Sequence, residues 1–435
     1  MDTREAALTV LLDIEVNQTF SNLALGNALR KNQFEEKTKR AFLTRLVEGV
    51  MEYRIRLDYV IDRFSKTKIK KCKPVIACLL RMGCYQILFM DSVPDAAACN
   101  ESVKLAKKHG FSGLSGFVNG VLRTIAREKE TIQYPEYEAD FLNACSVRTS
   151  TPKWLVEKLL ADFGKEKTQK LLQASFTDRK TCIRLNRACL QMDKVDEKQY
   201  IEALKQAQIK VDPGVYGTDA YLISGYDFIH RIPGYKKGYF TVQDESSQCA
   251  VLAACIKPSD IVLDLCAAPG GKTTYAAQIA CEGHVFSYDI SEEKLERIEE
   301  NVERERLENV EVSCHDATVY MEEQQEKADV VIADLPCSGL GIMGRKNDIK
   351  YRMTENQIVE LAALQHTILQ NACRYVKKGG TLLYSTCTIT PEENKNQTTR
   401  FLEEHPEYTC TKEQQFLQGT DACDGFYYAV LKRQV

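Results

Sequence analysis

The sequence predicts three units in succession: an all-helical one, a small α+β one, and an α/β unit on a doubly wound, mostly parallel, Rossmann-like sheet. Three observations carry this. Residues 1–135 place apolar side chains at three- and four-residue spacing, with almost no Pro or Gly inside the runs. Residues 145–240 mix helix-length and strand-length patterns. Residues 241–435 alternate short Val/Ile/Leu-rich runs with helical patterns, as strands buried on both faces require. A chain of 435 residues is long for one core, which agrees with this division.

Taken in order, AALTVLLDIEVNQTFSNLALGNAL, KRAFLTRLVEGVMEYRIRLDYVIDRF and SGFVNGVLRTIARE predict helices, with Asp95 and Ser115-Gly116 as punctuation. TIQYPEYEAD predicts a linker. TPKWLVEKLLADFG is an amphipathic helix with Pro152 near its first turn. CIRLN, YLISG and GYFTVQD predict strands and KQYIEALKQAQ a helix, together a small RRM-like unit. DIVLDLC, HVFSYD, NVEVSC, ADVVIADLPC and GGTLLYSTC then predict the buried strands of the main sheet. TTYAAQIA, SEEKLERIEENVERERL and TENQIVELAALQHTILQNACRYV predict its helices, and GFYYAVLKR a last, antiparallel strand.

Composition excludes several classes. The N-terminus, MDTREAALTV, has acidic residues where a signal peptide carries basic ones. The most apolar stretch, PVIACLLRMGCYQILFM, is interrupted by Arg81 and too short to span a bilayer. A soluble cytoplasmic protein without membrane contact is expected. No two of the 17 cysteines lie closer than six positions, so no C-x-x-C occurs, and only six histidines are present; no metal site is expected. Most of these thiols should be small buried hydrophobes. Net charge is −3, but residues 1–130 hold 22 Lys+Arg against 15 Asp+Glu. KTKIKKCK alone places five lysines in eight residues. A solvated helix edge explains that run by itself. A basic first third on an acidic remainder favours a polyanion partner for that third.

LDLCAAPGGKTT, Leu263 to Thr274, nearly spells a phosphate-binding loop, with Gly271, Lys272 and Thr273 in place but Cys266 where the first Gly belongs. A tight turn without ligand is the bland alternative. The ends of the later strands separate the two ligands. The second strand ends in Asp289, placed to accept both hydroxyls of a ribose. The third ends near Asp316, within reach of an adenine edge, and the fourth in Asp334. Acidic groups at successive strand ends repel a polyphosphate and suit a nucleoside with a free diol and a sulfonium cation. S-adenosylmethionine is the expected cofactor, on a turn of Cys266, Ala267, Ala268, Pro269, Gly270, Gly271 and Lys272.

DLCAAPGGKT, DLPCSGLG and YSTCTITPEEN, in that order and spacing, resemble the RNA cytosine-C5 methyltransferases of the Sun superfamily. FVNGVLR, PKWLV and GYFTVQDESSQ extend the resemblance over nearly the whole chain. It implies a class I methyltransferase domain over 241–435, preceded by a NusB-like RNA-binding domain over 1–135 and the small domain over 145–240. It further implies 16S rRNA as partner, naked or in an early assembly intermediate, and a monomer; a tRNA or another rRNA position is the alternative target. Leu335, Asn347 and Thr388 depart from the commoner pattern without removing a catalytic group.

C5 of cytosine is a poor nucleophile until a thiolate adds at C6 and converts the ring to an enamine. That chemistry needs a cysteine at the mouth of the site. Cys337, in DLPCSGLG, and Cys387, in STCT, lie 50 positions apart but end segments expected to be neighbours. The residues alone do not rank them. The resemblance assigns Cys387 as nucleophile and Cys337 to product release. Asp334 is expected at the exocyclic or N3 edge of the cytosine or at the methionine end of the cofactor, the resemblance favouring the cofactor pocket, and Lys272 is expected to position Asp334 or the methionine carboxylate. The loop GRKNDIKYR adds Arg345, Lys346, Lys350 and Arg352, expected to clamp RNA phosphates while the base is flipped.

Overall fold

The computed structural model describes residues 2–31, 36–176 and 180–434. Contacts divide the chain into two compact units. One comprises residues 1–177 together with 343–352; the other comprises 178–342 and 353–435.

The first unit is helical: α1 (Thr3–Val16), α2 (Ser21–Lys31), α3 (Lys37–Glu52), α4 (Arg54–Phe64), α5 (Pro74–Phe89), α6 (Asp95–Lys108), α7 (Ser115–Glu128), α8 (Phe141–Arg148) and α9 (Lys153–Ala174). The apolar run around Arg81 forms α5, whose residues from Ile76 to Ile87 are all buried. It packs against α1, α3, α4, α6 and α7, so it has no polar face. Arg81 is tolerated there because Asp58 takes it bidentately at 2.7 and 2.9 Å, with Glu15 at 3.5 Å. Two glycines make the close packing possible. A Cβ on Gly49 would lie 1.9 Å from the Tyr85 ring, and one on Gly83 would lie 2.5 Å from Leu122. Helix α9 is broken at Gly164, where φ is +74°.

Segment 343–352 corrects one expectation. Its last turn, Ile349–Arg352, is helical, and Tyr351 packs on the helical core and donates to the Ser150 carbonyl at 3.0 Å. Lys350, expected at the RNA phosphates, is only 2 % exposed. Its Nζ lies 3.3 Å from the Thr149 carbonyl and 3.4 Å from that of Glu52. Arg352 donates to the carbonyls of Gln18 and Thr19 and pairs with Asp348 at 3.2 Å. Both cations are spent inside the chain, because Tyr351 between them draws this stretch into the core. Arg345 and Lys346 are exposed.

Burial brings the Lys350 ammonium down to about 7 from its ordinary 10.5. Between those values the unfolded chain binds the extra proton, so this group makes stability rise with pH from 7 toward 10. Below 7 the folded chain carries a buried ammonium and the penalty is constant. Lys350→Met should therefore stabilise the protein most at pH 6, with the advantage over wild type shrinking by pH 9. Denaturant midpoints at both pH values check this.

The second unit carries two sheets. Strands β1 (Thr181–Leu185), β2 (Lys210–Pro213), β3 (Ala220–Ser224) and β4 (Phe240–Val242) form an antiparallel sheet in the order β2-β3-β1-β4, with helices α10 (Arg187–Met192) and α11 (Glu197–Gln206). After α12 (Glu245–Ala253) comes the main sheet. Its elements are β5 (Ile261–Asp264), α13 (Gly271–Ile279), β6 (His284–Asp289), α14 (Glu292–Arg304), β7 (Val310–Cys314) and β8 (Ala328–Asp334). The turn Ile349–Arg352 counts as α15, and α16 (Glu355–Tyr375), β9 (Val376–Thr386), α17 (Lys395–Glu404), β10 (Tyr408–Phe416) and β11 (Phe426–Arg433) complete the sheet. Strand order is β10-β11-β9-β8-β5-β6-β7. The five strands from β9 to β7 are parallel, and β11 and β10 add antiparallel. The chain runs outward from β5 through β6 to β7, then returns to β8 on the other side of β5. A crevice opens at the carboxyl ends of β5 and β8, where such sheets take their ligands.

Arg184, on β1, is the largest fully buried side chain among the described residues. Its guanidinium donates to Gln243, to the Gly271 carbonyl at 2.8 Å, to Thr274 Oγ1 at 2.9 Å and to Glu305 at 3.1 Å. Glu305 is equally buried, and without Arg184 it keeps only the longer pair with Arg304 at 3.5 Å and neutral donors such as Gln278, so removing Arg184 leaves its charge undercompensated. Arg184→Met should cost about 3–5 kcal/mol in urea unfolding, whereas adding Glu305→Gln should recover a large part.

Candidate active site

Strand β5 delivers the chain to the turn Leu265–Gly270, and α13 starts at Gly271. Gly270 has φ +99°, a conformation that side-chain-bearing residues avoid. The turn is tied to β6: Ala267 N–H donates to the Tyr288 carbonyl at 2.9 Å, and Ala268 N–H to Asp289 Oδ2 at 3.0 Å. The other Asp289 oxygen accepts from Ile290 N–H and from Lys294 Nζ at 2.9 Å. Lys272 Nζ lies 2.6 Å from Asp334 Oδ2, whose second oxygen accepts from Ser385 Oγ at 2.7 Å. Asp316 caps its own loop, accepting from Thr318 N–H at 2.9 Å and its hydroxyl at 2.7 Å, and these bonds hold its carboxyl below the usual range. Cys266 is half-buried, and burial pushes its thiol up. Pro269 is exposed at the tip.

This arrangement decides between the two ligands. A triphosphate loop keeps its Lys free for phosphate and its Ser/Thr hydroxyl for Mg²⁺. Here Lys272 is neutralised by Asp334, and Thr273 donates inward to Asp264 at 2.7 Å. Asp264 is fully buried, burial pushes its carboxyl up to about 7, and its Oδ1 has no hydrogen-bond partner. An acceptor without a donor, among Asp289 and Asp334, fits a ligand that brings an ammonium and a sulfonium. The residues present fit S-adenosylmethionine.

The two candidate cysteines meet. Asp334 and Ser385 are register partners on adjacent parallel strands β8 and β9. Cys337 lies three residues beyond Asp334 and Cys387 two beyond Ser385, so the chain leaves both strands side by side. Leu335 N–H donates to the Ser385 carbonyl at 3.0 Å and holds the exits together. Sγ of Cys337 and Sγ of Cys387 are 3.3 Å apart, and both residues are partly exposed. The bond to Cys387, burial and the charge of Glu393 all push the Cys337 thiol well up. Gly341 closes the same turn, its N–H on the Cys387 carbonyl at 3.1 Å; a Cβ there would collide with the Gly425 carbonyl at 2.0 Å.

Behind the sulfurs stands a network that sequence reasoning did not single out. Glu393 is completely buried and accepts from Ser338 N–H at 2.8 Å, Ser338 Oγ at 2.5 Å, Thr390 Oγ1 at 2.6 Å and Gln365 Nε2 at 3.2 Å. Ser338 Oγ also meets Thr388 Oγ1 at 2.6 Å. Ser338 follows Cys337 and Thr388 follows Cys387, so one carboxylate secures both cysteine-bearing turns. Asn394 adds a second tie through Thr386 and the Thr388 carbonyl. The stretch TPEE lies within the third motif, but two acids beside a proline carry no signal of burial.

Known proteins fall in line with this geometry. A family model described as 16S rRNA methyltransferase RsmB/F matches residues 251–432, the NusB family matches 1–127, and a ferredoxin-like domain of RsmF/B-like methyltransferases matches 151–226. A probable ribosomal RNA small subunit methyltransferase B of Bacillus subtilis is 35 % identical over 93 % of this chain and 89 % of its own length. The ribosomal RNA small subunit methyltransferase B of Vibrio cholerae is 32 % identical over 100 % and 98 %. The crystal structure of PH0851 superposes with TM-score 0.82 over 98 % of each chain at 24 % identity, a shared fold. Among the described residues no helix is long and apolar enough to cross a membrane, and no group of three or more His, Cys, Asp or Glu is set to hold a metal. With relatives this similar over nearly its full length, the chain belongs to the ribosomal RNA small subunit methyltransferase B family.

Proposed function

We propose that this protein methylates C5 of a cytosine in 16S rRNA through a covalent bond between Cys387 Sγ and C6 of the base. The observation that carries the reading is the 3.3 Å pair of partly exposed sulfurs just beyond the ends of β8 and β9, Cys337 lying three residues after Asp334, which pairs with Lys272. S-adenosylmethionine, when bound, supplies an electrophilic methyl group on a sulfonium. The turn Cys266–Lys272 with Asp289, Asp316 and Asp334 would hold it: Asp289 would accept from the ribose hydroxyls, Asp316 would serve the adenine, and Asp264 and Asp334 together would offset Lys272 and the bound cation.

A single thiolate shared by two adjacent sulfurs is enough for the chemistry. Cys337 is pushed up by its bond to Cys387, by burial and by Glu393, and the two sulfurs share one hydrogen bond that either can donate. The family resemblance, rather than the geometry of the pair, selects Cys387 as the nucleophile, reacting as the thiolate. Its addition at C6 makes C5 nucleophilic; after methylation the C5 proton passes to water, its C–H pair forms the C5–C6 double bond, and the C6–S bond breaks with its pair returning to sulfur. Cys337 assists that last step by supplying a proton to the departing sulfur. Glu393, through Ser338 and Thr388, keeps the two sulfurs at this spacing.

The test is product analysis. Purified protein, S-adenosylmethionine and a 16S rRNA transcript should yield 5-methylcytidine on digestion to nucleosides. Methylation at the cytosine N4 position, or on another base, overturns the reading. Bisulfite sequencing of a deletion strain should show loss of one small-subunit mark; loss of a tRNA mark instead rejects the substrate.

A further inference from the structure

The stretch FVNGVLR in α7 divides into two faces. Val118, Val121 and Leu122 are buried in the helical core. Asn119, Gly120 and Arg123 face the other way, and nothing in the proposed chemistry uses them. That outward side borders a cleft of about 820 Å³ between α6 and α7, lined by Asn100, Lys104, Lys107, Gly116, Asn119 and Arg123 among others.

Two features of this cleft lack a reason inside the chain. The first is its glycines. Gly49 and Gly83 are required by packing, but a Cβ added at Gly116, which lines the cleft, or at the exposed Gly120 beside the lining residue Asn119, would meet nothing within 4 Å, and neither has a positive φ. A glycine inside a helix costs stability relative to alanine, so its smallness here serves a contact from outside. The second is charge. Lys104, Lys107 and Arg123 face a single acid, Glu101, which pairs with Lys104 at 2.6 Å. Arg123 Nε rests on Asn119 Oδ1 at 2.9 Å, which leaves most of its donors open. The side chains of Lys107 and Asn100 make no hydrogen bond or ion pair among the described residues.

We infer that the cleft between α6 and α7 binds the phosphate backbone of the RNA substrate, with Lys104, Lys107 and Arg123 on phosphate oxygens and Gly116 and Gly120 admitting the strand close to the helix. The inference rests on the proposed RNA substrate. Charge complementarity selects the occupant: the cleft is cationic, within the part of the chain that holds the excess of basic residues. Amide side chains at its rim add donors for phosphate or ribose oxygens, which give position rather than sequence choice.

Full-length protein and a 16S rRNA transcript test it, by equilibrium binding over a range of salt without S-adenosylmethionine. The triple variant Lys104→Ala, Lys107→Ala, Arg123→Ala should bind the transcript roughly 10- to 100-fold more weakly at 0.1 M salt, with a log–log salt slope shallower by about 2. Gly116→Leu with Gly120→Leu should weaken binding about fivefold while the slope stays, since no charge is lost. Its melting temperature should equal or exceed wild type, because leucine is the better helix former. S-adenosylmethionine affinity should be unchanged in both. RNA affinity within twofold of wild type in the triple variant overturns the inference. So does a loss that appears only when small-subunit proteins are present on the RNA, which would make the occupant a protein. The measurement involves no methyl transfer, so an error about the target atom leaves its outcome intact.

Discussion

Cys387→Ala abolishes methyl transfer, lowering the single-turnover rate by roughly 10⁴-fold or more, because no other group can add to C6 and activate C5. The neighbouring sulfur cannot substitute. With the adjoining thiol gone, burial and Glu393 still push Cys337 toward its protonated form, and a thiol adds poorly to a pyrimidine. The substitution removes one partly exposed sulfur and leaves the Glu393–Ser338 and Ser338–Thr388 bonds in place, so folding and affinity for S-adenosylmethionine and RNA should stay near wild type. Rapid-quench assays with labelled methyl donor, alongside equilibrium binding, check both halves. Wild-type turnover in this variant would reject Cys387 as nucleophile.

Cys337→Ala produces the opposite defect. The C6–S bond still forms and the methyl group still transfers, but the proton that eases departure of the sulfur is missing. Enzyme should accumulate on RNA as a band that survives denaturing electrophoresis, appears only with S-adenosylmethionine, and approaches one methyl group per protein molecule. Steady-state turnover should fall by about 10²-fold or more, the range typical for loss of a general acid. The double variant with Cys387→Ala should show no band. A band in the double variant, or none in the single, would separate Cys337 from release.

Much of the fold was legible because strands buried on both faces and helices with one apolar face leave different periods in a sequence. The strands β5, β6, β7, β8, β9 and β11 all lie where the Val/Ile/Leu runs predict them. Strand β10 has no counterpart in that pattern. Tyr408 and Phe416 are its only buried residues; between them run exposed polar side chains on both faces, the composition of an edge strand. Strand β2, Lys210–Pro213, escapes the pattern for a similar reason, since it holds no buried residue.

At the site, the turn and both cysteines were visible because glycine, proline and thiol chemistry is local. What the sequence concealed were the buried ions. Glu393, Arg184 and Lys350 look like solvated charges in any short stretch of chain. Their partners lie 55, 121 and 201 positions away in the examples of Ser338, Glu305 and Thr149. Lys350 departs furthest from expectation: four cations in one loop suggest a single polyanion clamp, yet Lys350 and Arg352 terminate on backbone carbonyls. Counting charges does not reveal which of them fold inward.

A single carboxylate bracing two turns also limits how the enzyme can change. Because Glu393, with the Gly341–Cys387 bond and Asn394, links both loops, the gap between the sulfurs depends on ties between the loops rather than on two strands adjusting independently. Lengthening either loop by one residue, or grafting one of them from a relative, would move a sulfur away from its neighbour while its own strand stayed put. Successful transplants must carry the Ser, the Thr and the Glu as a set.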